Sequence, residues 1–239
     1  MMMTTALPTE IEVLTAVDST QLEIARRLTS GMMPRAIRSE TQVSGKGRFE
    51  RVWHDEVGQS LLMSITFPEW ADHKAPWLIG MGVAAVAAGI VHCQLQWPND
   101  LVIGPRKLGG VLTELYPDAD GRRIPVIGIG INLNQTSFPE AIAHRATSLH
   151  LERGQITDAG QVAEELMRRL AQFRMPRDWD DLKPVWMMFD HTPGKRYQVP
   201  TGEIATAIAV GPMGELIASL DGETVQVMAA DALFGPATP

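Results

Sequence analysis

Two apolar runs, Leu101-Val102-Ile103 and Leu108 to Leu115, flank the pair Gly104-Pro105. No other feature constrains the fold of this chain as strongly. Strand-forming residues on either side of a Gly-Pro turn predict a β-hairpin, and a hairpin brings its two ends together. Lys107, at the head of the second run, therefore returns alongside Trp97-Pro98-Asn99-Asp100. Those four residues combine an aromatic face, a rigid turn, an amide and a carboxylate, so one small volume gathers a cation, a carboxylate and an amide. A surface hairpin with a charged end satisfies the same pattern.

A second segment shifts the balance toward a site. Thr41 to Trp53 holds Gly45, Lys46, Gly47, Arg48, Arg51 and Trp53. Glycines let backbone N–H groups approach an anion, while lysine and arginine neutralise phosphate and arginine can bind it bidentately. The loop is not of the Walker type. With Lys107 it predicts an anionic ligand, and the pairing suggests activation of a carboxylate by ATP.

At 239 residues the chain can bury a substantial core in one large or two smaller domains. Its net charge of -7 argues against general nucleic-acid binding, which calls for a basic stripe, so phosphate must meet local cations. Cys93 is the only cysteine. That excludes an internal disulfide and a cysteine-built zinc site, and it favours a reducing cytoplasm. Met1 to Glu12 lacks the basic start and apolar core of a secretory signal. Ala75 to Val91 is apolar but carries Pro76, Gly80, Gly82 and Gly89, and it sits at the short limit for a membrane span. We expect a buried central helix there, with Pro76 near its first turn, and no membrane role. The six histidines show no ligand spacing.

Thr20 and Glu23 have capping-box spacing and Gly31 can end the helix they open. The pattern predicts helices over Gln21 to Ser30, after Pro76, and over Ala159 to Phe173, with strands over Ser60 to Phe67 and Ile124 to Leu133. Antiparallel hairpins with helices packed on them give an α+β core. After an amphipathic stretch from Met175 to Asp190, turn signals recur at Pro200-Thr201-Gly202, Gly211 to Gly214 and Asp221-Gly222. Turns about ten residues apart predict a small all-β barrel. We expect domains at 1–190 and 191–239. We expect no helix-turn-helix DNA reader before the catalytic region.

Taken together, these elements resemble the biotin protein ligase family in its short form. Asp18-Ser19-Thr20 is similar to the family's early Ser-Thr element, Gln42 to Trp53 to its glycine-arginine loop, and Gln96 to Asp100 to its Lys-Trp-Pro-Asn-Asp. Lys107-Leu108-Gly109-Gly110 resembles its Lys-hydrophobic-small-Gly, and Gly128 to Asn134 its Gly-x-Gly-Ile-Asn segment. Three positions depart from the pattern: Lys46 stands for the usual Arg, Glu50 for Gly and Gln96 for Lys. The first loses a planar fork, the second places a carboxylate in an anion-binding loop, and the third removes a cation.

The resemblance implies a mixed or antiparallel sheet with packed helices, a class II aminoacyl-tRNA synthetase-like ligase core, followed by the C-terminal barrel. It implies ATP and Mg²⁺, with biotin as substrate and the biotin carboxyl carrier domain of a biotin-dependent carboxylase as partner, without DNA. An unpaired sheet edge would be the surface of a homodimer. Lys107 and Arg48 correspond to catalytic positions. Ser19, Thr20, Gln42, Gly45, Lys46, Gly110, Gly128 and Gly130 correspond to biotin contacts, and Arg48, Arg51, Trp53, Asn99, Asp100 and Asn132 to nucleotide contacts, with Mg²⁺ near Asp100. Two rivals stand beside this reading. One is a lipoate or octanoate ligase or transferase of the same superfamily, which would need a long apolar tunnel. The other is a noncatalytic biotin binder, motivated by the three departures.

Overall fold

The computed structural model describes residues 10–229 and 233–234. A seven-stranded sheet is built from β1 (Glu12–Leu14), β2 (Ala36–Ser39), β3 (Ser60–Thr66), β4 (Gln94–Gln96), β5 (Asp100–Ile103), β6 (Arg106–Pro117) and β7 (Arg123–Asn132). Its order is β1-β2-β3-β7-β6-β5-β4, and only β1 and β2 run parallel. The expected hairpin is β5 and β6, turning at Gly104 with φ of 57°.

Gly128-Ile129-Gly130-Ile131 shows how the sheet divides its labour. Successive residues of a strand face opposite ways. Ile127, Ile129 and Ile131 join Leu61, Met63, Ile65 and Val111 in the main core. Each such burial is worth about 1.5–3 kcal/mol. Helix α2 (Trp77–Val91) packs on this face and is buried nearly all round, as its uniform apolarity demands. Its small residues allow close approach. A Cβ on Gly80 would lie 2.0 Å from Thr113 Oγ1.

On the opposite face lies α1 (Thr20–Thr29), whose Ile24 and Leu28 meet Ile37, Ile124 and Val126. Its ends refine the expectation. The N-cap is Ser19, one residue before the predicted capping-box residue, and no side chain caps the helix. Glu23 instead pairs with Arg26 and Arg27, because two guanidiniums compete for it at helical spacing. Gly31, at φ of 85°, closes a Schellman turn: its N–H bonds Leu28 O and that of Met32 bonds Arg27 O. Short α3 (Glu140–Ala143) and α4 (Leu149–Arg153) follow β7, then α5 (Ala159–Gln172) and α6 (Trp179–Met187), which pack against α2. Among the described residues no helix is long and apolar enough to cross a membrane.

The C-terminal strands β8 (Arg196–Gln198), β9 (Ile204–Val210), β10 (Leu216–Leu220), β11 (Glu223–Val227) and β12 (Leu233–Phe234) correct the barrel expectation. They form an open antiparallel sheet ordered β11-β10-β9-β8-β12. Closure would require its edges β11 and β12 to pair, and among the described residues they do not. The sheet buries its inner face on the larger unit instead: Tyr197, Ala205, Ala207, Leu216 and Ala218 share one core with Leu95 and Trp97. Trp97 fastens the two sheets. Its indole Nε1 donates to Gly214 O at 2.8 Å, its backbone N–H donates to Thr192 Oγ1 at 2.9 Å, and Tyr197 O–H donates to its carbonyl at 2.8 Å. Fully buried, Trp97 offers no open aromatic face to a ligand.

Candidate active site

The face of the sheet that α1 only partly covers is thinned of side chains. Ser64, Gly128 and Leu112 form one cross-strand row, and Leu62, Gly130, Gly110 and Asp100 form the next. Three glycines in two rows leave a trough floored by backbone. The N-terminus of α1 opens onto one end. Asp18, held down to about 2 by hydrogen bonds from Arg26, accepts the Ser19 N–H at 2.7 Å and fixes this corner. Thr20 donates to Gln42 Oε1 through its N–H at 2.8 Å and its hydroxyl at 3.1 Å, and that hydroxyl also lies 2.7 Å from Ser64 Oγ. A Cβ on Gly128 would fall 2.0 Å from Gln21 Oε1, so glycine makes room for that amide.

At the other end the hairpin delivers Lys107. The β5–β6 register runs Leu101↔Gly109 and then Val102↔Lys107, a bulge that absorbs Leu108. In a regular ladder Leu108 would oppose Val102 and Lys107 would face the apolar core. The bulge sends Leu108 into the core and turns Lys107 to the side of Asp100. Lys107 Nζ donates to Asp100 Oδ1 at 2.6 Å, with side-chain exposures of 40% and 8%. A buried carboxylate thus steers a cation that still reaches solvent. The backbone of Lys107 is held in turn by Arg145 O and the Thr147 N–H, at 2.7 and 2.8 Å. Asn99 is locked by Nδ2 donating to Val111 O at 2.6 Å.

Between the ends a strap crosses the trough. Its base is tied by the Trp53 N–H to Gly45 O at 2.8 Å and the Gly47 N–H to Arg51 O at 2.7 Å. A Cβ on Gly45 would come 3.0 Å from Trp53 O. Lys46 and Arg51 are exposed, and Phe49, at φ of 55°, lies under the Arg48 guanidinium at 4.7 Å. Arg48 reaches the Ala229 carbonyl and lies 3.5 Å from Asn99 Oδ1. Burial lowers its affinity for a proton while Asp100 opposes that shift. The Trp53 ring rests on Gly130, 2.8 Å from where a Cβ would stand.

The structure therefore gathers Ser19, Thr20, Gln42, Gly45, Gly110, Gly128, Gly130, Trp53, Arg48, Asn99, Asp100 and Lys107 around one trough. Asn132 is engaged within the chain, its Nδ2 donating to Thr147 O at 3.0 Å. Among the described residues no group of three acidic, histidine or cysteine side chains could hold a metal. Sequence reasoning missed Gln21 and Ser64. Gln21 had only its place beside Ser19-Thr20 as a signal, and Ser64 only its strand parity with Ser60.

The model of the biotin/lipoate A/B protein ligase family matches residues 13–134. Among relatives, the bifunctional ligase/repressor BirA of Bacillus spizizenii is 34% identical over 161 residues, covering 63% of this chain and 49% of that protein. This chain spans about half the length of that relative. The biotin--[acetyl-CoA-carboxylase] ligase of Mycobacterium tuberculosis is 27% identical, with 94% of this chain and 88% of that one covered. The biotin protein ligase from Aquifex aeolicus, in complex with biotin and ATP, has the same fold, with a TM-score of 0.71 at 23% identity over 94% of this chain and 97% of that one.

Proposed function

The chain belongs to the biotin/lipoate A/B protein ligase family, and we propose that it is a biotin protein ligase, ATP-dependent and AMP-forming. One observation carries this reading: a single trough has a neutral polar end at Thr20, Gln42 and Ser64 and a cationic end at Lys107 and Arg48. A ligand with a polar head and a carboxylate tail matches both.

In the first step the biotin carboxylate oxygen attacks the α-phosphorus of ATP, and the bond to pyrophosphate breaks. Two anions must meet, and the Lys107 ammonium, steered by Asp100, lowers their repulsion and stabilises the charge of the transition state. Arg48 joins it from the strap, with Arg51 and Lys46 attracting phosphate at the rim. In the second step a carrier lysine amine attacks the acyl carbon of biotinyl-5′-adenylate and AMP leaves. We assign biotin to Ser19, Thr20, Gln42, Gly45, Lys46, Gly110, Gly128 and Gly130, and the nucleotide to Arg48, Arg51, Trp53, Asn99, Asp100 and Asn132. The residues around Asp100 do not fit a protein-held magnesium, since Lys107 occupies that carboxylate. Magnesium would enter on the phosphates.

The acceptor we propose is a biotin carboxyl carrier domain in the cytoplasm, with a catalytic unit over 1–190 and a C-terminal unit over 191–239. A homodimer would use the open β1 edge. The test is biotin-dependent exchange of labelled pyrophosphate into ATP. Exchange driven by octanoate or lipoate would favour the sister activity. Tight biotin binding without exchange would favour a noncatalytic binder.

A further inference from the structure

Gln21 is 4% exposed, yet its amide is only half used inside the protein. Its Nε2 donates to Glu114 Oε2 at 2.7 Å and lies 3.5 Å from the carbonyls of Leu112 and Val126. All three partners are acceptors, so the NH₂ must point at them and Oε1 must point away. That direction is the surface of Gly128, in the trough. Glu114 Oε2 also accepts from Tyr116 O–H at 2.7 Å, which aims the carboxylate. Burial, then the Glu114 hydrogen bond, raises the Tyr116 phenol above its ordinary range and keeps it a donor.

We infer that Glu114 is a positioning residue: it holds the Gln21 amide with Oε1 presented to the trough, as the acceptor for an N–H on the head of the ligand. Gln42 is set in the complementary sense. Its Oε1 is taken by Thr20, which leaves Nε2 as a donor. Thr20 and Gln21 stand over Ser64 and Gly128, cross-strand partners, so donor and acceptor lie side by side. A cyclic urea shows one carbonyl flanked by two N–H groups and matches that pair. A plain acyl chain has no N–H, and it would leave a buried acceptor unpaired, the arrangement by which a polar site rejects an apolar analogue.

This inference rests on the biotin reading, so its test measures binding, which does not require catalysis. Calorimetry with biotin compares the natural chain with Glu114→Leu, Glu114→Gln and Gln21→Met, each checked for a native melting transition. Glu114→Leu and Gln21→Met should weaken biotin about tenfold, the scale of one lost hydrogen bond. Glu114→Gln should rescue, because an amide oxygen can still accept from Gln21 and Tyr116. Should Glu114→Leu fail to fold, Tyr116→Phe probes the same link. Biotin methylated at either ureido nitrogen supplies the readout that a merely structural role would not move. One of the two should lose affinity in the natural chain and show a smaller loss in Gln21→Met. Equal losses in both proteins, or unchanged biotin affinity in folded Glu114→Leu, would overturn the inference and leave the ligase reading standing. No biotin binding by the natural chain would overturn both. Biotin binding without pyrophosphate exchange, with the predicted variant pattern, would retain the inference and remove the ligase.

Discussion

Ile129 and Gly130 are adjacent in β7, yet they belong to different projects. The face that carries Ile129 is filled by Leu61, Met63, Ile65, Val111 and the flank of α2. The face that carries Gly130 is thinned to glycine at three positions, where the Trp53 ring, the Gln21 amide and the Lys107 side chain come close to the backbone, and it is bordered by Thr20, Gln42 and the strap. One face buys stability and the other gives up contacts to leave room. The contrast teaches that alternation along β7 and most of β6 keeps the packed face and the candidate site apart, because a regular ladder cannot turn one side chain without turning all of them, and that the bulge at Leu108 resets it to bring Lys107 to the trough side.

The sharpest way to break this comparison is Lys107→Ala. Pyrophosphate exchange should fall at least about a hundredfold, the scale for losing one preorganised electrostatic group. The urea midpoint should hardly move. A large loss of stability with intact exchange would show that the thinned face is structural after all.

Neighbouring substitutions sharpen it further. Ile129→Ala should cost about 2–5 kcal/mol in urea denaturation, as for other buried aliphatic truncations. Gly130→Ala should act the other way round. Its new Cβ meets the Trp53 ring, and the strap must shift. Biotin affinity should drop about tenfold, while stability loses about 1 kcal/mol. Equal effects of both substitutions on stability and binding would dissolve the distinction.

Smaller still is Tyr197→Phe, on the apolar side. It removes the donor to Trp97 O and should cost about 1 kcal/mol in urea denaturation. Cys93 provides the last test. Burial pushes its thiol from 9.0 up to about 12, so a thiol-alkylating reagent at pH 8 should label unfolded chain and spare native chain. The unfolded thiol loses its proton near 9 and the folded one keeps it until about 12. Cys93 therefore contributes stability that is present below pH 9 and lost as pH rises toward 12. The difference in urea midpoint between the natural chain and Cys93→Ala, followed across that window, should show this decline.

Much of this division can be read in the one-dimensional chain. Gly128-Ile129-Gly130-Ile131 declares two faces, and Gly104-Pro105 announces the hairpin that returns Lys107 to Asp100. The bulge at Leu108 is not legible, because it depends on Arg145 and Thr147 gripping Lys107 from almost forty residues away. Trp97 looked like part of a binding surface and is a fully buried fastener, since its partners Gly214 and Tyr197 lie about a hundred residues on. The polar end of the trough joins Thr20, Gln42 and Ser64 across three elements, and no local pattern relates them. Short strands with regular turns suggested a barrel. Whether such strands close on themselves or lie against a neighbour depends on where apolar surface is available, and here the larger unit offers it.

The Trp97 junction also governs how the molecule comes apart. Its indole, its backbone N–H and its carbonyl are each satisfied from beyond residue 190, and Gly214, at φ of 76°, presses its backbone against Trp77 of α2. Release of the C-terminal sheet would strand three polar groups and a tryptophan in one step, two residues from Asn99. Neither sheet can loosen by itself without exposing the other's interior, so heat or denaturant should meet a single cooperative body with one transition, and a chain cut before Gly214 would lose the candidate site along with its tail.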